Sequence, residues 1–175
     1  MLDRSEILDL IVEWLPPGGT VLDVGCGRGG MLAALAERGV TGMGIDPYGC
    51  NAEHCRPLRA EKMDQLAERF DLVYTHYALH HFDAPPCFPE KARSVLSPSG
   101  VLLIVDWVEG ARTGVPERYF ATQMVAGWVN EAGFSLMCQE ERGQSMIIVG
   151  KLPPAKVQVG DTHVEVEEVD VDACL

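Results

Sequence analysis

The chain has 175 residues, of which 47% are hydrophobic, 23% charged and 7% aromatic, which fits one domain with a real core and excludes a disordered chain. Its net charge of −12 argues against a nucleic-acid substrate, since phosphate backbones call for a basic patch. The longest aliphatic run, Val101 to Val105, is far short of the roughly 20 residues of a membrane span. Asp3, Arg4, Glu6 and Asp9 interrupt the N-terminal apolar stretch, so no secretory signal is read there and a cytoplasmic location is expected.

In chain order, Ile7, Leu8, Ile11, Val12 and Leu15 recur at helical spacing, and the pattern predicts a helix over 5–14 with Ser5 as its N-cap. Pro16-Pro-Gly-Gly19 stops it. Thr20–Val24 reads as a strand, Met31–Arg38 as a helix capped by Gly39, and Gly42–Asp46 as a second strand ending on an acid. A loop or short helix over 47–55 leads to a third strand at Pro57–Ala60 and a short helix or turn at Lys62–Arg69. Phe70–Thr75 is a fourth strand, His76–Phe82 a helical or looped segment, and Pro89–Leu96 a helix closed by Ser97-Pro-Ser-Gly100. Val101–Trp107 is nearly all apolar, as a central parallel strand should be. Phe120–Ala132 is a helix capped by Gly133, and two last strands, Phe134–Glu140 and Gln144–Lys151, should pair antiparallel around a tight turn.

Such alternation demands a mainly parallel sheet with helices on both faces. The domain is expected over 1–152. After Pro153-Pro154 the composition changes to an acidic segment, 153–175, whose alternating residues suggest a hairpin around Gly160-Asp161. Asp161, Glu165, Glu167, Glu168, Asp170 and Asp172 alone supply half of the net charge of −12. The six cysteines match no zinc or redox spacing and are read as free thiols of a reducing cytosol. Cys50 and Cys55, with His54, offer a soft-metal alternative that lacks further ligands. No metal site is assigned.

The functional signal is Asp23-Val-Gly25-Cys-Gly27-Arg-Gly29, placed between a strand and a helix. Glycines there allow a tight turn and close approach of a ligand to the backbone. Gly25, Gly27 and Gly30 also satisfy the dinucleotide fingerprint, and Asp46 follows Gly25 by 21 residues, near the spacing of a ribose-binding acid. The glycines alone leave a nicotinamide enzyme and a methyltransferase both open. Asp23 separates them: a carboxylate two residues before the first glycine repels a pyrophosphate and attracts a cationic sulfonium ligand bearing an ammonium group.

These residues carry a resemblance. The chain resembles the class I S-adenosylmethionine-dependent methyltransferases, in particular the small ubiquinone/menaquinone-methylase-like (type 11) group, over about residues 5–151. Val21–Gly29 is similar to the family's glycine-rich motif, Gly44-Ile-Asp46 to its second motif, and Phe70–Val73 with Leu79-His-His-Phe82 to its fourth-strand region. The resemblance implies a Rossmann-like α/β fold, a seven-stranded mainly parallel sheet with an antiparallel final strand, and S-adenosylmethionine as cofactor. It implies that Asp23 holds the methionine ammonium and that Gly25, Cys26, Gly27 and Gly29 pass under the methionine and ribose. Asp46 and Pro47 would hold the ribose, Ala60 and Glu61 would meet the adenine, and Thr75 and His76 would lie near the sulfonium and the acceptor.

Methyl transfer from a sulfonium is a displacement with a neutral leaving group, so alignment and water exclusion dominate and a base serves only a protonated acceptor. His76 and His80 are the candidate catalytic residues. On a helix they would share a face, and they read as a base, as metal ligands or as partly buried polar caps. Tyr74 and Tyr77 read as packing residues. The acceptor is expected to be a small molecule, and Val108–Arg118 offers only a short lid, so the site is open to solvent or completed by another segment. The segment 153–175 is expected to complete the site or form a homodimer contact. Two other functions share the glycine motif: a non-catalytic S-adenosylmethionine-binding module, and a nicotinamide-dependent oxidoreductase.

Overall fold

Seven strands, arranged β3-β2-β1-β4-β5-β7-β6, make one sheet in the computed structural model, which describes residues 1–49 and 54–154. The strands are β1 Thr20–Val24, β2 Thr41–Asp46, β3 Cys55–Pro57, β4 Phe70–His76, β5 Leu96–Trp107, β6 Ser135–Arg142 and β7 Ser145–Lys151. β1 to β5 pair in parallel, and β7 runs antiparallel to both β5 and β6. The order reverses between β1 and β4, so the carboxyl ends of these two strands flank a crevice, the place where open α/β sheets hold ligands.

Helices cover both faces: α1 Arg4–Trp14, α2 Gly30–Glu37, α3 Phe88–Val95 and α4 Thr122–Glu131. The period of two along the strands assigns side chains to these layers. Val21, Leu72, Tyr74, Leu103, Val105, Ile147 and Val149 pack with Leu8 and Ile11 of α1 and Leu35 of α2. Leu22, Val24, Val73, Leu102, Ile104 and Ile148 pack with Ala92 of α3 and Val125 of α4. By the same parity Asp23, Tyr74 and His76 face the α1/α2 side, and Asp106 faces the other.

Several expected boundaries move. The N-cap of α1 is Asp3, not Ser5: its carboxylate accepts the Glu6 N–H at 2.9 Å while Glu6 accepts the Asp3 N–H at 2.7 Å, a capping box. The third strand is Cys55–Pro57 rather than 57–60, because it pairs with Gly44 to Asp46, and a 3-10 turn begins at Ala60. Ser97–Gly100 is an irregularity inside β5, where the register against β4 shifts, rather than a separate turn. α4 spans Thr122–Glu131, starting two residues later than expected. The stretch after β4 is a short 3-10 turn, Leu79–His81, and Tyr77 has φ of 50°, so His76 and His80 do not share a helical face. Cys26, Cys87 and Cys138 are free thiols, but Cys55 is disulfide-bonded. Cys50 and the expected hairpin lie outside the described residues. No helix among the described residues is long and apolar enough to cross a membrane.

Candidate functional site

The carboxyl ends of β1 and β4 bring Asp23, Tyr74, Thr75 and His76 together, with Asp23 directly opposite Tyr74 in register. Asp23 and Thr75 are fully buried. Both carboxylate oxygens of Asp23, the Tyr74 hydroxyl, the Thr75 hydroxyl and His76 Nδ1 have no hydrogen-bond partner among the described residues. Buried polar groups are normally satisfied, and an ionised carboxyl without a partner is costly. Burial pushes the Asp23 carboxyl up to about 7 from 3.8; Tyr74 opposes the rise without making a well-formed hydrogen bond, and the Asp46 charge adds to it. Burial also holds the His76 imidazole below its ordinary value. His76 Nδ1 lies 3.8 Å from Asp23 Oδ1, beyond hydrogen-bonding reach. These unpaired buried polar groups suit a cationic group that brings its own donors.

The loop after β1 frames these groups. Gly25 has φ of 80°, and a Cβ there would stand 2.5 Å from that of Ala78 and 3.6 Å from the Phe82 ring. The left-handed backbone and the close approach of the Ala78–Phe82 segment both require glycine. The Gly25 and Cys26 N–H groups donate to the Ile45 carbonyl at 2.8 and 3.1 Å. The Gly27 N–H donates to Asp46 Oδ2 at 3.0 Å, and the Tyr48 N–H to Asp46 Oδ1, also at 3.0 Å. Each Asp46 oxygen therefore keeps one lone pair for a further donor. Cys26 is buried, and its thiol, 3.6 Å from Cys55 Sγ, is pushed up to about 12 by burial and by Asp23 and Asp46. It stays protonated.

A cleft beside the loop is lined by Gly25, Pro47, Leu58, Ala60, Glu61 and Phe82, together with Ile45, Arg59, His81 and Asp83. It brings the expected pair Ala60 and Glu61 to the glycine loop. Glu61 Oε1 accepts the Ala84 N–H at 3.1 Å, and Arg59 pairs with Asp83 at 2.8 Å; both contacts tie the wall of the cleft across from β2. Roomier hollows lie on other faces, one of them between Val108, Thr122 and Gln139. They hold no such collection of buried, unpaired polar groups.

The second expected histidine belongs to another arrangement. Asp106, at the end of β5 and 1% exposed, accepts His80 Nδ1 at 2.7 Å, the His80 N–H at 3.0 Å and the Trp107 N–H at 2.7 Å. His80 Nε2 then faces Glu117 Oε2 at 3.4 Å. Glu117 accepts the Tyr119 hydroxyl at 3.0 Å, and Tyr119 meets Thr113 at 2.7 Å. Asp106, Glu117 and Tyr119 were not singled out from the sequence. Asp106 carried a signal, an acid closing an apolar strand as Asp46 does, whereas Glu117 sits in a loop and carried none. Tyr77 is tied into the fold: its hydroxyl accepts the Leu2 N–H at 2.9 Å and meets Ser145 at 2.7 Å.

Comparison with known proteins gives these sites a family context. A methyltransferase-domain family matches residues 3–139. The chain is 32% identical over 155 residues to the 2-methyl-6-phytyl-1,4-hydroquinone methyltransferase of Synechocystis sp., covering 76% of this chain and 49% of that protein. It is 31% identical over 115 residues to a ubiquinone biosynthesis O-methyltransferase of Pseudomonas fluorescens, covering 54% of this chain and 49% of that one. The chain thus spans about half the length of these two relatives. Its fold is similar to that of a Burkholderia thailandensis 1,6-didemethyltoxoflavin-N1-methyltransferase solved with 1,6-didemethyltoxoflavin and S-adenosylhomocysteine bound. The TM-score is 0.66 at 20% identity, over 86% of this chain and 76% of that one.

Proposed function

Since the chain belongs to the methyltransferase-domain family, of the class I S-adenosylmethionine-dependent kind, we propose that it is a cytoplasmic enzyme that methylates a small-molecule acceptor. The observation that carries this reading is Asp23: a fully buried carboxylate with two unpaired oxygens beside a glycine loop. The site fits a ligand with an ammonium group and a sulfonium. It disfavours a pyrophosphate, whose charge would meet Asp23 and Asp46. When bound, S-adenosylmethionine supplies an activated methyl group whose departure leaves a neutral thioether.

The residues would divide the work as follows. Asp23 pairs with the ammonium, with Tyr74 and Thr75 as neighbouring polar groups. Gly25, Cys26, Gly27 and Gly29 let the backbone pass close under the cofactor, and the protonated Cys26 thiol does not compete as a nucleophile. The two open lone pairs of Asp46 accept the ribose hydroxyls. Pro47, Ala60 and Glu61 bound the adenine. His76, held neutral by burial, stands at the end of β4 as the base for an acceptor hydroxyl. His80, oriented by Asp106, presents Nε2 on the acceptor side of the same edge. The two relatives, one named for a hydroquinone and the other for O-methylation in ubiquinone biosynthesis, make phenolic acceptors the first to try. We also propose that 153–175 closes the acceptor side or joins two protomers; deleting it should change activity or oligomeric state, and no change in either would refute this.

Thermal shift with S-adenosylmethionine, S-adenosylhomocysteine, NAD and NADP tests the cofactor. A ligand at 100 times its dissociation constant stabilises by about 2.7 kcal/mol. The adenosyl compounds should raise the Tm and the nicotinamides should not, with the effect lost in Asp46→Ala. Labelled methyl transfer to a panel of hydroquinones, catechols and hydroxylated heterocycles then searches for the acceptor. Stabilisation by NAD would overturn the reading. Cofactor binding without transfer to any acceptor would favour a non-catalytic binding module.

A further inference from the structure

His80, His81 and Glu117 form a group whose candidate ligand atoms all lie within 4.8 Å of one another. Asp106 accepts from His80 Nδ1 at 2.7 Å, so in the metal-binding tautomer the proton sits on Nδ1 and the lone pair on Nε2. That lone pair faces Glu117 Oε2 at 3.4 Å. In that tautomer a cation between Nε2 and the carboxylate would take both lone pairs, and the His80 side chain is only 3% exposed, which shields this side of the group from water. Glu117 is held in place by the Tyr119 hydroxyl at 3.0 Å. His81 Nδ1 lies 3.8 Å from the other Glu117 oxygen, and the two imidazole rings are 4.0 Å apart.

We infer that His80 Nε2, His81 Nδ1 and the Glu117 carboxylate bind one divalent transition-metal ion, with Asp106 as the carboxylate that orients the buried histidine. Ligand bonds of about 2.0–2.2 Å in a tetrahedral site place donors roughly 3.4 Å apart. The His80–Glu117 pair already has that spacing at 3.4 Å, and the His81–Glu117 pair at 3.8 Å needs a small closure. Two imidazoles and one carboxylate suit zinc, cobalt or iron rather than magnesium or calcium. A carboxylate behind a ligating imidazole is the usual means of fixing its tautomer and raising its basicity. Three protein ligands leave a coordination position open.

The candidate ligands lie next to the cofactor loop. The Leu79–His81 turn follows directly on Ala78, which meets Gly25, and His81 lines the cleft beside the glycine loop. Resting on the methyltransferase reading, an acceptor hydroxyl could take the open position, where a cation lowers the pKa of a bound oxygen acid. This assigns the acceptor to molecules that coordinate through oxygen, leaves His76 as the proton acceptor, and replaces the sequence expectation of no metal.

The test is titration of the metal-free full chain with cobalt(II), read by visible absorption, with S-adenosylhomocysteine binding measured on the same sample. One equivalent should develop the absorption of a low-coordinate nitrogen–oxygen site. His81→Ala and Glu117→Gln, both at partly exposed positions (58% and 30% exposed), should each weaken cobalt binding at least tenfold, and in Glu117→Gln, which lies outside the cofactor cleft, S-adenosylhomocysteine binding should persist. Asp106→Asn should weaken it about 10–100-fold. Absence of a cobalt site in wild-type protein that still binds S-adenosylhomocysteine would overturn the inference. So would a site that survives in the His81→Ala, Glu117→Gln double variant. Loss of S-adenosylhomocysteine binding in the wild type would instead overturn the methyltransferase reading, while the cobalt result still decides the metal site.

Discussion

Two buried carboxylates end parallel strands of the same sheet, and they live under opposite conditions. Asp106 accepts three hydrogen bonds within the protein. Asp23 accepts none among the described residues. A saturated carboxylate stabilises the chain it belongs to; an unsaturated one destabilises it and is retained for what it binds. The contrast supports the proposed ligand-binding role of Asp23 and the proposed positioning role of Asp106.

The largest expected effect breaks the comparison at Asp23. The rise from 3.8 to about 7 corresponds to about 4 kcal/mol held against the ionised form. Because the folded-state value is raised, the native state keeps a proton that the unfolded state loses between about pH 4 and 7. Stability from this group is present at low pH and disappears as pH rises through about 7. Asp23→Asn should therefore stabilise the free protein at pH 8 by up to about 4 kcal/mol. Denaturant titrations should show a difference between wild type and variant that is small near pH 4, about 1.5–2 kcal/mol at pH 5 and largest at pH 8. The same variant should lose at least a hundredfold in cofactor affinity.

Asp106→Asn should have the opposite sign, costing roughly 2–4 kcal/mol by leaving the His80 donors ill-matched, as denaturant unfolding would reveal. If both variants shifted stability in one direction, the contrast would fail. Gly25→Ala should destabilise by about 2–3 kcal/mol, because alanine pays for the left-handed backbone and its Cβ meets Ala78; its Tm should fall, and cofactor binding with it. The smallest test compares two tyrosines. Tyr77→Phe should cost about 1 kcal/mol through its bonds to Leu2 and Ser145, whereas Tyr74→Phe should cost nothing and stabilise by up to about 1 kcal/mol, since it removes a buried unpaired hydroxyl.

The same division explains what was legible in the sequence. Asp23, the glycines and Asp46 lie on one strand–loop–helix–strand unit, so local order in the chain already places them together. The layering of the sheet follows from apolar runs with period two. The Asp106–His80–Glu117 arrangement was not legible as a unit, because a strand end, a 3-10 turn and a loop meet there only through tertiary packing. Boundary errors have similarly local causes. Asp3 outcompetes Ser5 as the cap because Glu6 stands at the position that completes the capping box. The third strand is shifted because its extent is set by pairing with Gly44–Asp46 rather than by its own composition.

The most direct test of the central claim is calorimetric titration of S-adenosylhomocysteine into wild-type protein and Asp23→Asn at pH 8, with the wild type repeated at pH 6. The account predicts binding by the wild type at pH 8, at least a hundredfold weaker binding by the variant, and weakening of the wild type as pH falls through about 7 and Asp23 takes up a proton. Equal affinity of variant and wild type, or a wild-type affinity indifferent to pH, would contradict it.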